Sequence, residues 1–161
     1  MLQFTSQSDF SEIYRIMQAS FSDDEYRPYD EQLALFEEPE YWIYYMPAIG
    51  MERGGNHSTG NSTMHAAGFL AVWEFESFTY IEHFAVDPVL RNSGTGSAML
   101  QELVKQYQKP ICLEVELPED ELTRRRIGFY ERNGFVFNEY PYIQPPISKG
   151  KSPVPLRIMT Y

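Results

Sequence analysis

Apolar positions along the chain change period several times, and each change marks an element. Met1 to Phe4 is a short apolar run that predicts a first strand. From Asp9 the spacing becomes helical: Phe10, Ile13, Met17 and Phe21 share one face of a helix ending near Ser22, and Asp9 with Glu12 has the form of a capping box. An acidic and aromatic segment, residues 23–30, leads to a second predicted helix over Glu31 to Glu38. Tyr41 to Met46 and Met64 to Phe75 read as two strands of a hairpin whose long tip, Gly50 to Thr63, carries turn signals. Phe78 to Val86 is rich in aromatic and β-branched residues and predicts a fourth strand. Strict alternation there puts Tyr80, Glu82, Phe84 and Val86 on one face and Ile81, His83 and Ala85 on the other. Glu82 and His83 therefore share a site only if a bulge intervenes.

The second half repeats the alternation of strand and helix. Met99, Leu100, Leu103, Val104 and Tyr107 recur at helical spacing through Ser97 to Tyr107. Lys109 and Pro110 then turn the chain into a strand over Ile111 to Leu117, with Glu114 near its middle. Pro118 to Asn133 reads as a helix with acidic residues first, basic ones later and Gly134 as its stop. Phe135 to Tyr142 and Leu156 to Tyr161 are the last strands, joined by a proline-rich segment, residues 141–155. The result is an α/β (α+β) pattern of about seven strands and about four helices. At 161 residues it suits one domain over residues 1–161, with one sizeable core.

Composition narrows the class. Hydrophobic residues at 43% and charged residues at 22% describe a globular protein. No apolar run approaches the ~20 residues of a membrane span, and the first residues lack the order of a signal peptide, so the expected location is cytoplasmic with no membrane partner. The lone Cys112 cannot form an internal disulfide and reads as a small buried hydrophobe. His57 and His65 have no Cys or His at metal-ligand spacing, and no metal site is predicted. The net charge of −10 is uneven: residues 1–86 hold 3 Lys+Arg and 14 Asp+Glu, giving −11, while residues 87–161 hold 10 and 9, giving +1. An acidic balance argues against nucleic acid, whose binding requires neutralised phosphates. The near-neutral half, with Arg91 and Arg124 to Arg126, is the better one to receive phosphates. The acidic half either attracts a cation or serves solubility alone.

Between the fourth strand and the third helix lies Val86 to Gly96, with Gly94 and Gly96 opening the way for a ligand to approach the backbone. The first free N–H groups of a helix sit at its positive end, so the expected occupant is an anion. A Walker loop would need Gly-Lys followed by Ser or Thr, and a dinucleotide fingerprint a third glycine where Met99 stands. What remains is Arg-x-x-Gly-x-Gly after a Val-x-Pro strand end. In Arg91, Asn92, Ser93, Gly94, Thr95 and Gly96 the chain resembles the pyrophosphate loop of the GNAT superfamily of acyl-coenzyme A-dependent N-acetyltransferases. Phe129, Tyr130 and Glu131, ending in Gly134 and Phe135, resemble that family's second hallmark. Two departures stand on the same helix: relatives often carry Asn and Ala where this chain has Thr123 and Arg126.

The resemblance implies a GNAT fold with a mixed, mostly antiparallel sheet, a splayed parallel pair at the cofactor site and a bulge in the strand before the cradle. It implies acetyl-coenzyme A as acyl donor, held by Arg91 to Ser97 and by the main chain of Phe84, Ala85 and Val86, one of whose N–H groups would meet the oxyanion. It also implies an acceptor site walled by residues 22–30, 50–63 and 141–155. The acceptor would be a primary amine of a small molecule or peptide, taken by direct transfer in a ternary complex; a homodimer is a further expectation. An alkyl amine has a reference pKa of ~10.4, so a carboxylate must accept its proton; Glu82 is the first candidate and Glu114 the second. Tyr130, a phenol of reference pKa ~10, suits donation to a leaving thiolate of ~8.5. Two other readings keep the cradle without this chemistry: a coenzyme A-binding regulator, and a Gly-loop protein for another phosphorylated ligand.

Overall fold

In the computed structural model, which describes residues 1–48 and 65–161, the chain order is β1 (Gln3–Phe4), α1 (Phe10–Gln18), α2 (Tyr29–Ala34), β2 (Tyr41–Pro47), β3 (Ala66–Glu74), β4 (Thr79–Val86), α3 (Thr95–Gln106), β5 (Ile111–Glu116), α4 (Glu121–Arg132), β6 (Val136–Gln144) and β7 (Val154–Thr160). The predicted hairpin tip Gly50 to Thr63, with His57, and the first residue of the predicted third strand, Met64, lie outside the described residues. The strands form one sheet in the order β1-β2-β3-β4-β5-β7-β6. Every pairing is antiparallel except β4 with β5. That parallel pairing is short, running only from Thr79 opposite Ile111 to Ile81 opposite Leu113.

Two cores cover the two faces. On one, Met99, Leu100 and Leu103 of α3 and Ile127 and Tyr130 of α4 pack on Leu70, Val72, Ile81, Leu113 and Val115. On the other, Phe10, Ile13, Ile16 and Met17 of α1 pack on Ile43, Phe69, Ala71 and Ala85. The helical spacing of these residues directs α1 onto the sheet, and their burial supplies roughly 1.5–3 kcal/mol per large side chain.

Register breaks once within β4. Ala71 pairs with His83 and Val72 with Ile81, so Glu82 is the extra residue of a bulge. Strict alternation fails there: Ile81 lies on the same face as Phe84 and Val86, while Ala85 belongs to the opposite core. The bulge also coincides with the end of the β4–β5 ladder at Ile81, and a cleft opens between the two strands.

Several local expectations are corrected. Asp9 makes no cap to α1; it accepts from Ser6 Oγ at 2.6 Å, and Glu12 is engaged by Arg15. A capping box does form at α4, where Asp120 accepts from Thr123 N at 2.8 Å. The second helix is shorter than expected and continues as a 3-10 turn, Leu35–Glu37. Pro141 to Gln144 extend β6, and Val154 and Pro155 begin β7, so the proline-rich connection shrinks to residues 145–153. Cys112 is only half-buried, because β5 turns Ile111, Leu113 and Val115 into the core and presents Cys112, Glu114 and Glu116 to the other side. No helix among the described residues is long and apolar enough to cross a membrane.

Glycine contacts give a paired test. A Cβ at Gly68 of β3 would stand 2.6 Å from the Ala85 carbonyl oxygen and 3.0 Å from Met99 Sδ. Gly68→Ala should therefore lower the unfolding free energy by about 1–3 kcal/mol in urea titrations. A Cβ at Gly128, inside α4, meets only the mobile end of Arg132 at 3.2 Å. Gly128→Ala should be neutral or stabilise by up to ~1 kcal/mol through helix propensity. Equal losses at both positions would contradict this packing.

Candidate active site

The cleft between β4 and β5 has a volume of about 840 Å³ and runs between the loop before α3 and the connection from α1 to α2. Beyond Ile81, the main-chain groups of β4 that face β5 have no ladder partner, and residues 82–86 line the opening. Its walls differ in charge. The α1–α2 connection and the sheet contribute Glu25, Glu82, Glu114 and Glu116, whereas the loop and α4 contribute Arg91, Arg125, Arg126 and Arg132. Arg124 points elsewhere, donating to the Pro118 and Glu119 carbonyls.

The loop residues Arg91, Asn92, Gly94, Thr95, Gly96 and Ser97 all line the cleft. Asn92 and Gly94 have positive φ, 63° and 82°, which turns the chain sharply into α3. Ser93 holds the turn from within, its Oγ donating to the Leu90 carbonyl at 2.6 Å and lying 2.7 Å from Thr95 Oγ1. The two glycines do different things. A Cβ at Gly94 would meet nothing within 4 Å, while one at Gly96 would press on the Phe129 ring at 3.2 Å and on Val86 at 3.4 Å. Gly96 lines the cleft and also lets α3 pack closely against Phe129 of α4.

Glu82 is buried and bound in two directions by Arg27, whose two terminal nitrogens stand 2.9 and 3.0 Å from its oxygens. Burial alone would raise its pKa, but the neighbouring His83 and the Arg27 guanidinium together hold it at about 2. His83 Nε2 lies 2.8 Å from the Glu25 carbonyl oxygen, which can only accept, so Nε2 carries a proton. Its Nδ1 faces Glu82 at 3.4 Å without hydrogen-bond alignment. Glu82 and His83 do share one site, through the bulge.

Glu114 differs. It lines the cleft from β5, burial raises its pKa, and the Tyr142 and Tyr80 hydroxyls partly offset that rise. Tyr130 is buried on α4 with its ring against Phe84, Phe129 and Phe135. Burial pushes its phenol up to about 12, and no hydrogen-bond partner holds the hydroxyl among the described residues. Phe84, Ala85 and Val86 line the same cleft, which holds the predicted catalytic and cofactor-loop residues except Ser93; of the predicted acceptor segments only Glu25 and Gln144 reach it. Among the described residues no group of three or more His, Cys, Asp or Glu side chains is placed to hold a metal.

Sequence reasoning missed Arg27, Tyr80, Tyr142, and the ion pair of Arg126 with Glu116. Arg27 had one visible signal, being the lone cation in the acidic stretch from Asp23 to Glu40. Tyr80 and Tyr142 depend on strand neighbours distant in sequence, and the Arg126–Glu116 pair on how α4 packs back on β5.

Comparison with known proteins places this arrangement. A model of the acetyltransferase (GNAT) domain matches residues 60–137. The curated Bacillus subtilis protein YjbC, assigned as an acetyltransferase, is 33% identical over 93 residues, covering 56% of this chain; the chain spans about half the length of that relative, 46%. Among solved structures, a Bacteroides thetaiotaomicron protein assigned to the GNAT acetyltransferases is 30% identical, with a TM-score of 0.82, over 100% of this chain and 86% of its own. Arabidopsis thaliana NAA60, solved with acetyl-CoA, shares the fold at 14% identity and a TM-score of 0.74, over 100% of this chain and 97% of its own. With its splayed β4–β5 pair, its glycine loop and this likeness along its whole length, the chain belongs to the GNAT family of acetyltransferases.

Proposed function

We propose that the protein transfers an acetyl group from acetyl-coenzyme A to a primary amine of a small molecule or peptide, by direct transfer within one domain. The observation that carries this reading is the cleft itself. It brings unpaired main-chain groups of β4, a partnerless phenol and a carboxylate of raised pKa to one opening between two strands. Acetyl-coenzyme A would supply a thioester carbonyl already activated toward amines.

The residues present fit that donor. The loop from Arg91 to Ser97 turns free helix N–H groups and an arginine toward the cleft, matching a pyrophosphate. The main chain of Phe84 to Val86 would donate to charge developing on the carbonyl oxygen. Tyr130 keeps its proton at any working pH. Its pKa of about 12 lies roughly 3.5 pK units above the ~8.5 of a free thiol, or about 5 kcal/mol, so it acts as a hydrogen-bond donor while the thiolate forms. Of the two carboxylates, Glu114 suits the base. Glu82, at about 2 and held by Arg27, gains little by accepting a proton, whereas the raised pKa of Glu114 brings it nearer to neutrality. Glu82 instead anchors the acceptor-side connection through Arg27. The carboxylates of that wall would draw a cationic amine toward Glu114.

Calorimetric titration with acetyl-coenzyme A should show micromolar binding, weakened at least 10-fold by Gly94→Trp, which fills the open side of the loop. Absence of binding would sink the reading, and binding without thiol release across an amine panel would make the protein a regulator. With a turned-over amine, Glu114→Gln should lower kcat about 100-fold. The native enzyme loses activity as pH falls through the raised pKa of Glu114, and the variant should lack that acid limb. Tyr130→Phe should lower kcat about 10-fold or more with little change in the KM for acetyl-coenzyme A; a full rate would remove Tyr130 from the mechanism.

A further inference from the structure

Arg126 stands one helical turn before Tyr130 on α4, so the two side chains share a face. Both line the cleft, as does Glu116 at the end of β5. The Arg126 guanidinium is paired with the Glu116 carboxylate, and each side chain is about a third exposed, at 37% and 35%. This pair bridges the splayed strand and the helix that carries the phenol. The Tyr130 ring packs on Phe84 from β4, with centroids 6.4 Å apart, on Phe129 at 5.3 Å and on Phe135 at 5.8 Å. Among the charged side chains that line the cleft, Arg126 and Glu116 are the two whose charge acts on the phenol.

We propose that Arg126 is a positioning residue that acts through Tyr130, and that its pairing with Glu116 sets how strongly the Tyr130 hydroxyl donates into the cleft. This rests on the acetyl-transfer reading for its catalytic meaning, though the electrostatic coupling stands without it. A cation next to a phenol favours negative charge at the hydroxyl oxygen and at whatever that hydroxyl donates to, while an anion opposes it. The two charges have opposite effects on Tyr130, the guanidinium lowering its proton affinity and the carboxylate raising it. Glu116 works as a counterweight: it holds the guanidinium at the cleft and moderates its charge. Pairing across the mouth also explains how a long cationic side chain can face a buried tyrosine without being drawn out into solvent.

The test replaces Tyr130 by 3-fluorotyrosine, whose ring fluorine brings the phenol into an accessible range, and follows its titration by fluorine NMR in three backgrounds. Arg126→Ala should raise the phenol pKa and Glu116→Gln should lower it, each by roughly half a pH unit or more, with Arg126→Lys staying near the parent. The pair is partly exposed, so these variants should fold; a change in its fold would show as a shift in thermal midpoint, and the Lys variant then carries the comparison. In the enzyme with its natural tyrosine, Arg126→Ala should lower kcat about 10-fold while the KM for acetyl-coenzyme A changes less than 3-fold, and Arg126→Lys should recover most of the rate. Titrations that coincide in all backgrounds, or that move in the same direction for both charge removals, would overturn the proposal even in a fully active enzyme. Opposite shifts in a protein that turns over no amine would uphold the coupling and reject the acetyl-transfer reading instead.

Discussion

The bulge at Glu82 and the buried pair it makes with Arg27 set the terms for the rest of the molecule. An extra residue in β4 ends the parallel ladder at Ile81, and only past that point can β4 and β5 diverge. The same residue turns a carboxylate toward the α1–α2 connection, where it would be costly to bury alone. Arg27 removes the cost by binding both oxygens, and in doing so it fastens the connection between α1 and α2 to the floor of the cleft. Opening the ladder and fastening this connection are thus two effects of one inserted residue. A second tie holds the other end of the strand: Arg15 of α1 reaches Asp87, just past β4, at 2.6 Å.

This explains how the uneven charge is used. Residues 1–86 carry only three basic side chains, and the two in described positions, Arg15 and Arg27, each neutralise a buried carboxylate at β4. The rest of the acidic half is only partly compensated: Glu12 pairs with the same Arg15 and Glu74 with Lys109. Parts of it are used locally. Asp23 binds Lys151 at 2.9 Å, Asp24 accepts from Ser152 N at 2.9 Å, and Glu31 accepts from Ser148 Oγ at 2.5 Å. These contacts draw the connection between β6 and β7 over the segment before α2, so that two stretches far apart in sequence form one wall. Their exposure means that each contributes little to stability; their consequence is placement.

What could be read beforehand followed from interactions local in sequence. The strand-loop-helix order around Gly94, the two helical stripes and the stop at Gly134, whose φ is 92°, are each written within about ten consecutive residues. Residues 86–97 and Tyr130 therefore fell where expected. The misread features are those decided by distant partners. Strict alternation through β4 failed because a bulge belongs to a pair of strands, not to one. Asp9 has the form of a cap, but its carboxylate is engaged by Ser6 Oγ and a 3-10 turn precedes the helix. Cys112 was assigned to the core from its apolar neighbours, yet alternation turns it to the face it shares with Glu114. The close packing of Gly96 on Phe129, more than thirty residues later, likewise left no mark in the local sequence.

The two ionisable groups at the centre of the cleft show what burial does when partners differ. Tyr130 is enclosed by aromatic rings, so desolvation raises its pKa with only the opposing charges of Arg126 and Glu116 to modify it. Glu114 is also desolvated, but it rests on β5 among hydroxyls that stabilise its ionised form and near Glu82, which disfavours it. Had Glu82 lacked Arg27, both carboxylates would compete for one proton across the bulge. Because Arg27 and His83 hold Glu82 ionised, its charge is fixed, and the nearby Glu114 is left as the carboxylate free to exchange a proton. The inserted residue that opens the cleft therefore also sets the two carboxylates apart in proton affinity, Glu82 held low by its partners and Glu114 raised by burial.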